Sequence, residues 1–233
     1  MEDVSLEVIK QKSIKGVLAL TSRTFILQLI AFGGTFFLTI FLTPAAFGVF
    51  YVVSAIIAFL NYFSDIGLAA ALIQKKDEVS ETDLITTFTI QQGLVVMLVI
   101  VALLLTSPIA GFYSLDSAGQ WLYRSLIIAF FLSSLKTIPS VLLERKLEFR
   151  KLVIPQILET LGFYLIAVIL AWLGYEILSF AWAVIVRSVI GLIAIYVLSP
   201  WKPALGVSRL SAKKLLRFGL PFQANSLLAL VKD

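Results

Sequence analysis

The chain contains no cysteine and no histidine, and only 14% of its 233 residues are charged. The absence of cysteine excludes disulfide bonds and thiolate chemistry. The absence of histidine excludes imidazole metal ligands and the side chain most often used for acid–base catalysis near neutral pH. The scarcity of charge argues against a soluble protein of this length, which would expose many more charged side chains to water.

Hydrophobic residues make up 60% of the sequence, and the mean hydropathy is +0.99. Apolar runs of about 18 residues or more are typical of transmembrane helices. Such runs occupy residues 16–42, 45–74, 84–111, 120–143, 152–174 and 177–199, and a seventh apolar segment begins near Leu215. These runs predict an all-α, polytopic membrane helix bundle, in which six transmembrane helices form one lobe and a seventh helix begins.

Two prolines predict where helices begin or bend. Pro44, which follows Thr43, is typical of the first turn of a helix, so the second span is predicted to start there. Pro139 falls inside the fourth span, where proline removes a backbone hydrogen bond. We therefore predict that Pro139 kinks the fourth helix or loosens its last turns.

Most of the 19 lysine and arginine residues lie in four short clusters beside the apolar spans. The clusters are Lys10, Lys12 and Lys15; Lys75 and Lys76; Arg145, Lys146, Arg150 and Lys151; and Lys202, Arg209, Lys213, Lys214 and Arg217. The alternate connections, at residues 43–44, 112–119 and 174–176, contain no basic residue. Because lysine and arginine are enriched in cytoplasmic loops, we predict that the N-terminus and the four clusters are cytoplasmic.

The charged run LLERKLEFRKL, at residues 142–152, is predicted to be a cytoplasmic hinge between spans four and five that anchors the topology. The net charge of +5 has the same origin, so no nucleic-acid partner is predicted. The N-terminal stretch MEDVSLEVIKQKSIKG lacks a small-residue cleavage site after a short apolar core. No removable signal peptide is therefore predicted.

Four basic residues fall inside the spans, where a charge at the bilayer centre costs about 2.5–3.5 kcal/mol. They are Arg23, Arg124, Lys136 and Arg187. Arg187 lies roughly 15 Å into span six at the helical rise per residue, which favours a cavity or an ion pair over snorkelling. Arg23 is intermediate in depth, and both interpretations stay open for it. Arg124 and Lys136 lie nearer the ends of span four, where interfacial snorkelling is favoured.

Two acidic residues, Asp65 and Glu159, also lie within spans. Each is a candidate either for ion coupling or for an ion pair with an intramembrane arginine. Gln28 and Gln91 are polar residues that could line a cavity, although glutamine also forms ordinary hydrogen bonds between membrane helices.

An inward-facing set of basic groups suits an amphiphilic anion, with a phosphate in the polar interior and an apolar tail in lipid. The predicted substrate-binding residues are Arg23, Arg187, Arg124, Lys136, Gln28 and Gln91, with Asp65 and Glu159 as ion-coupling or ion-pair residues. No catalytic residue, metal ligand or cofactor is predicted. The sequence has no Walker-type phosphate loop, so transport would draw its energy from an ion gradient or from substrate flux.

Three stretches of the sequence resemble Wzx-type polysaccharide flippases. The stretch FLTPAAFGVFYVVSAIIAFLNYFSDIGLAAALIQKKD, at residues 41–77, resembles the second-helix region of that family. LLERKLEFRKLVIPQILETLGFYLIAVILAWLGYEILSFAWAVIVRSVIG, at 142–191, looks like the family's charged hinge and its turn into helix six. LRFGLPFQANSLLALV, at 216–231, looks like the opening of helix seven.

The resemblance implies membership of the multidrug/oligosaccharidyl-lipid/polysaccharide exporter superfamily, whose members have two helical lobes around a cationic cavity and work by alternating access. It implies an undecaprenyl-diphosphate-linked oligosaccharide as cargo, in the biosynthesis of a surface glycan such as O-antigen, lipopolysaccharide or exopolysaccharide. The implied location is the bacterial inner membrane, in contact with membrane lipid and with the polysaccharide polymerase and chain-length proteins of the same pathway. Residues 1–200 would then form the N-terminal lobe, and 201–233 a basic linker and the start of a truncated second lobe.

Three other classes of function remain open. A cation-coupled multidrug antiporter of the same superfamily would use Asp65 or Glu159 as its coupling acid. A membrane-embedded glycan polymerase or acyltransferase is disfavoured by the lack of a long soluble loop and of histidine. A non-transporting membrane fragment or scaffold is the third.

Overall fold

The chain folds into membrane-length helices separated by short turns. The computed structural model describes the backbone of residues 6–232 and the side chains of residues 21–225, so the side chains of Lys10, Lys12 and Lys15 lie outside the described part. The helices are α1 (Leu6–Phe41), α2 (Pro44–Ser64), α3 (Leu68–Gln74), α4 (Glu81–Leu104), α5 (Thr106–Phe112), α6 (Ser117–Ser134), α7 (Thr137–Arg145), α8 (Phe149–Trp172), α9 (Ile177–Leu198) and α10 (Arg209–Lys232). No strand occurs between residues 6 and 232.

Within the described residues, six segments have the length and composition of membrane spans when one bent pair of helices is counted as a single span. Residues Thr21–Phe41 of α1, together with α2, α4, α8 and α9, are each long and apolar enough to cross a bilayer. The sixth span consists of α6 and α7, which meet at 41°. The predicted all-α, polytopic helix bundle is thereby confirmed.

Helix α2 begins at Pro44, as predicted. The side chain of Thr43 accepts a hydrogen bond from the backbone N–H of Ala46 at 3.3 Å and thus caps the helix. Pro44 has no N–H to leave unsatisfied in this first turn. Sequence and local structure agree here because both depend only on adjacent residues.

The bend in the fourth span lies one turn before the predicted kink at Pro139. Helix α6 ends at Ser134 and α7 begins at Thr137, so the break is at Leu135 and Lys136. Pro139 therefore occupies the first turn of α7, where a backbone N–H has no acceptor within the helix. The proline ring disfavours helical backbone in the preceding turn, and the helix breaks there rather than at the proline itself.

The second span is also interrupted, although the sequence predicted it to be continuous over 45–74. Helix α2 ends at Ser64 and α3 starts at Leu68, with Gly67 between them at φ +76°. A side chain is disfavoured at that φ, and the backbone of Gly219 on α10 packs directly against Gly67. Gly67 is therefore needed at the interruption for two reasons: its backbone conformation and the close approach of α10.

Among the described side chains, three apolar cores hold the helices together. The first lies between α1, α2, α6, α8 and α9 and includes Leu38, Leu122, Phe163 and Phe180. The second joins α3, α4, α7 and α10, and the third joins α2, α4 and α6. The first core ends at Ala129 on α6, Phe163 on α8 and Val184 on α9, and a polar or charged residue lies about one turn beyond it on each helix: Ser133, Glu159 and Arg187. The candidate site lies at that level.

Candidate anion-binding site

Three charged residues predicted separately from the sequence meet in the middle of the bundle. Glu159 on α8 accepts a hydrogen bond from the ammonium of Lys136, with 2.6 Å between Nζ and Oε1. Its second carboxylate oxygen, Oε2, lies 3.8 Å from Nε of Arg187 on α9. The structure thus gives Glu159 two cationic partners, which reduces the cost of a carboxylate inside the membrane.

Gly191 provides the space that Glu159 occupies. It lies one helical turn after Arg187 on α9, and a Cβ atom built at Gly191 would collide with the Glu159 carboxylate. The absence of a side chain therefore lets the carboxylate lie directly against the α9 backbone. No motif in the sequence indicated Gly191 in advance; the available signal was the spacing of Arg187 and Gly191 on one helix face.

Lys136 reaches Glu159 because it lies at the break between α6 and α7. Gln91 on α4 donates to the hydroxyl of Thr137 at 2.8 Å, and Gln92 bonds the hydroxyl of Ser134 at 3.1 Å. The hydroxyl of Tyr196 on α9 donates to the carbonyl of Leu135 at 3.1 Å. The Tyr196 bond satisfies a backbone carbonyl at the break, and the two glutamines bond the hydroxyls on either side of it.

Arg187 borders two pockets that are lined by described residues. The first pocket has a volume of about 280 Å³ and is lined by residues of α2, α6, α8 and α9 that include Asn61, Ser133, Glu159 and Arg187. The Arg187 side chain is 49% exposed, and its guanidinium carbon lies 5.9 Å from the ring centroid of Phe163. An apolar ring therefore supports one face of the guanidinium while much of the group stays accessible.

The second pocket is cationic. It has a volume of about 390 Å³ and is lined mainly by α1 and α8. Its lining includes Arg23, Gln28, Thr160, Tyr164 and Arg187, and no acidic residue lies among the described side chains that form it. Nε of Arg23 is buried and has no hydrogen-bond partner within the described residues. Arg23 therefore brings to this pocket one donor that the described residues leave unsatisfied.

Tyr164, which lines the second pocket, also forms a close contact between α8 and α1. The ring of Tyr164 occupies the space that a side chain at Gly34 would need, and the hydroxyls of Thr35 and Tyr164 are 3.3 Å apart. No atom lies near a Cβ built at the neighbouring Gly33. Of the adjacent glycines, Gly34 is thus the one that lets the helices approach.

Several predicted site residues lie away from both pockets. Arg124 is exposed on α6, with its guanidinium carbon 6.0 Å from the ring centroid of Trp121. Gln91 is buried between helices, where it bonds Thr137. The snorkelling favoured for Lys136 is wrong, because its ammonium turns inward to Glu159. The rotation of each helix about its axis separates these residues, and apolar packing sets that rotation.

Asp65 caps a helix instead of facing another charged side chain. Its carboxylate accepts hydrogen bonds from the backbone N–H groups of Leu68 at 2.8 Å and of Ala69 at 3.3 Å. It lines neither of the two pockets described above. The predicted pairing of Asp65 with an intramembrane arginine is absent from the described residues, because the start of α3 offers N–H groups closer at hand.

The charged hinge also has a specific contact that the sequence did not indicate. Helix α7 ends at Arg145, Leu147 adopts a φ of +57°, and α8 begins at Phe149. The guanidinium of Arg145 donates to four backbone carbonyls at distances of 2.6–3.2 Å. These carbonyls belong to Leu72, Ile73, Lys75 and Asp77. Arg145 therefore caps the C-terminal end of α3, where carbonyls lack partners within the helix.

The helix arrangement defines the class: a multi-pass membrane protein with the fold of a known transporter. The solved structure concerned is titled "Outward-facing conformation of a multidrug resistance MATE family transporter of the MOP superfamily". It aligns with 91% of this chain at a TM-score of 0.64 and 16% sequence identity. The chain spans 52% of the length of that structure.

The family profile described as "Polysaccharide biosynthesis protein" matches residues 37–232. The chain therefore belongs to this polysaccharide biosynthesis family, which confirms the resemblance found in the sequence. Among proteins with curated functions, none matches the chain.

Proposed function

We propose that this protein is a membrane transporter that moves an undecaprenyl-diphosphate-linked oligosaccharide across the bacterial inner membrane by alternating access. Its family supports a role in polysaccharide biosynthesis, and its fold supports a transporter of the MOP superfamily. The observation that carries the substrate proposal is the second pocket, which brings Arg23 and Arg187 together without an acidic residue in its described lining.

The chemistry of this pocket matches a diphosphate. A guanidinium presents a planar fork of donors that fits two phosphate oxygens, and its attraction to phosphate is stronger in a site that excludes water. Gln28, Thr160 and Tyr164 supply further polar groups along the wall. The volume of about 390 Å³ falls within the usual range for small-ligand sites, so the pocket suits the diphosphate and adjoining sugar while the isoprenoid tail stays in lipid.

The proposed orientation in the membrane follows from the positions of the basic clusters, and the proposed division of the chain follows from the number of spans. The N-terminus and the hinge at 142–152 face the cytoplasm, residues 1–200 form the N-terminal lobe, and 201–233 form a linker and the beginning of the next helix. Substrate then passes from the cytoplasmic to the outer leaflet, where polymerase and chain-length proteins would receive it. Transport requires no covalent step, so no catalytic residue is proposed.

The alternative of a cation-coupled multidrug antiporter needs a carboxylate that can exchange a cation. Asp65 is engaged by backbone N–H groups, and Glu159 by Lys136 and Arg187. Neither carboxylate faces open space without a partner, which favours the anion-binding proposal over this alternative.

The experiment is an export assay in a bacterial strain that lacks its own flippase, with the surface glycan and the membrane abundance of each variant measured together. Arg187→Ala and Arg23→Ala should each reduce export by about 10-fold or more, because each loses a charge-assisted hydrogen bond to the diphosphate. Abundance should stay near normal, since Glu159 keeps Lys136 as its partner when Arg187 is removed. Lysine at either position should restore export in part.

Arg124→Ala is the matched control, because it removes an arginine from a span without touching either pocket. It should leave export unchanged. Full export by both pocket variants would refute the anion-binding proposal. Loss of the protein, rather than loss of export, would show that Arg23 and Arg187 only stabilise the fold.

A further inference from the structure

The two cations beside Glu159 bind it unequally. The distance of 2.6 Å between Lys136 and Glu159 is that of a short, charge-assisted hydrogen bond. The distance of 3.8 Å between Arg187 and Glu159 is too long for a hydrogen bond. Arg187 is therefore attracted by the carboxylate without being held by it.

We propose that Glu159 is a tethered anion that competes with the substrate phosphate for Arg187, and that Lys136 restrains this competition by holding the carboxylate. The inference rests on the proposed function, in which Arg187 binds the diphosphate. In the empty protein Glu159 neutralises Arg187. When a diphosphate enters the second pocket, Arg187 pairs with it and Glu159 stays with Lys136.

The position of Arg187 between the pockets allows this exchange. Arg187 borders both pockets, whereas Glu159 borders the first and Arg23 the second. The ring of Phe163 also borders both and lies against the guanidinium, so Arg187 can turn from one pocket to the other over the same apolar surface. The contact with Gly191 keeps the carboxylate close to the α9 backbone and so close to Arg187.

A competing anion would speed the release of the substrate diphosphate from Arg187. Bare arginines in an apolar site bind a diphosphate well but let it go slowly, and transport requires that a ligand both enter and leave. A carboxylate at the same arginine replaces the departing phosphate and lowers the affinity. It also reduces the cost of leaving Arg187 unpaired in the membrane after the substrate has left.

This arrangement gives Glu159 and Lys136 effects of opposite sign on anion binding. Glu159→Gln removes the competitor, so affinity should rise. Lys136→Gln frees the carboxylate to close on Arg187, so affinity should fall. In the double variant the competitor is gone, and affinity should again exceed that of the wild type. If Lys136 were instead a direct ligand of the phosphate, its removal would weaken binding in both backgrounds.

The experiment uses the whole chain in lipid nanodiscs and measures the dissociation constant of farnesyl diphosphate by titration calorimetry. We expect Glu159→Gln to lower the constant on the order of 10-fold, from removal of a like charge at this range. Lys136→Gln should raise it several-fold by the same mechanism. Glu78→Gln is the control, because it removes one carboxylate from an exposed loop and should change nothing.

The double variant Lys136→Gln with Glu159→Gln also controls for misfolding. It removes both members of the ion pair, so neither Lys136 nor Glu159 is left as a buried charge without its partner. Unchanged affinity in both Glu159→Gln and the double variant, with binding lost in Arg187→Ala, would overturn the competition while leaving the anion site intact. Equal binding by the wild type and Arg187→Ala would instead refute the proposed function. Weak binding by the double variant would show that Lys136 contacts the phosphate directly, which also overturns the inference.

Discussion

Two pairs of charged residues lie within or beside the apolar spans of this chain, and they differ in what satisfies their hydrogen-bonding groups. Asp65 bonds to backbone N–H groups at the start of α3, and Arg145, on α7, bonds to backbone carbonyls at the end of α3. Arg23 and Arg187, in the second pocket, have no such backbone partners among the described residues, and Nε of Arg23 is buried without any partner. The backbone therefore satisfies the hydrogen-bonding groups of Asp65 and Arg145, but not those of Arg23 and Arg187.

The difference separates structural charges from candidate binding charges. A backbone partner cannot leave without unfolding the helix end, so a charge bonded to it contributes to stability. A partner that is a side chain, or none at all, can be replaced by a ligand. Depth in the membrane does not distinguish the two cases, because all four residues were predicted within or beside spans. Only the identity of the partner does.

The largest expected effect is that of Arg145→Ala on stability. It removes the donors that cap the carbonyls of Leu72, Ile73 and Lys75, and we expect a loss on the order of 3 kcal/mol in the free energy of unfolding. The measurement is thermal unfolding of the purified protein together with its membrane abundance. Arg150→Ala is the matched control, since Arg150 is exposed in the first turn of α8. A normal melting temperature for Arg145→Ala would show that charges bonded to the backbone do not contribute more to stability than the charges of the second pocket.

An intermediate effect is expected for Gly191→Ala, which tests the packing of Glu159 in the pocket group. The added methyl group overlaps the carboxylate, and overpacking of this kind costs about 1–3 kcal/mol. Thermal unfolding again measures the cost. Gly33→Ala is the control, because its Cβ meets nothing and a helical alanine should stabilise by about 0.5–1 kcal/mol.

The source of that cost can be isolated in a second background. With Glu159→Ala already present, Gly191→Ala should no longer destabilise, since the overlapping carboxylate is gone. A cost that persists in this background would place the strain elsewhere on α9.

The smallest effect is expected for Asp65, where the type of substitution matters. Asp65→Ala removes the acceptor at the start of α3 and should cost about 1 kcal/mol, as for other helix caps. Asp65→Asn keeps a side-chain oxygen that can accept the same bonds, so stability and export should both stay close to the wild type. Loss of export by Asp65→Asn at normal stability would make Asp65 a coupling acid and would break the comparison.

Features that depend on neighbouring residues could be predicted from the sequence. The apolar runs predict the six spans, and Thr43 with Pro44 predicts the start of α2. The break in the second span at Gly67 was missed, because the signal is spread between Gly67 and Gly219 on a distant helix. The bend near Pro139 was expected one turn too late, because the proline acts on the residues that precede it.

The sequence by itself determined that this is a helical membrane protein, which residues bring charge into its spans, and that cysteine and histidine chemistry is excluded. Only the tertiary structure decided which of those charges meet. It placed Lys136, Glu159 and Arg187 together, and it left Arg124 on the outside of α6. The physical reason is that each residue turns a helix by about 100°, so the direction in which a charge points depends on how neighbouring helices pack. That packing is a property of the whole bundle and not of any single span.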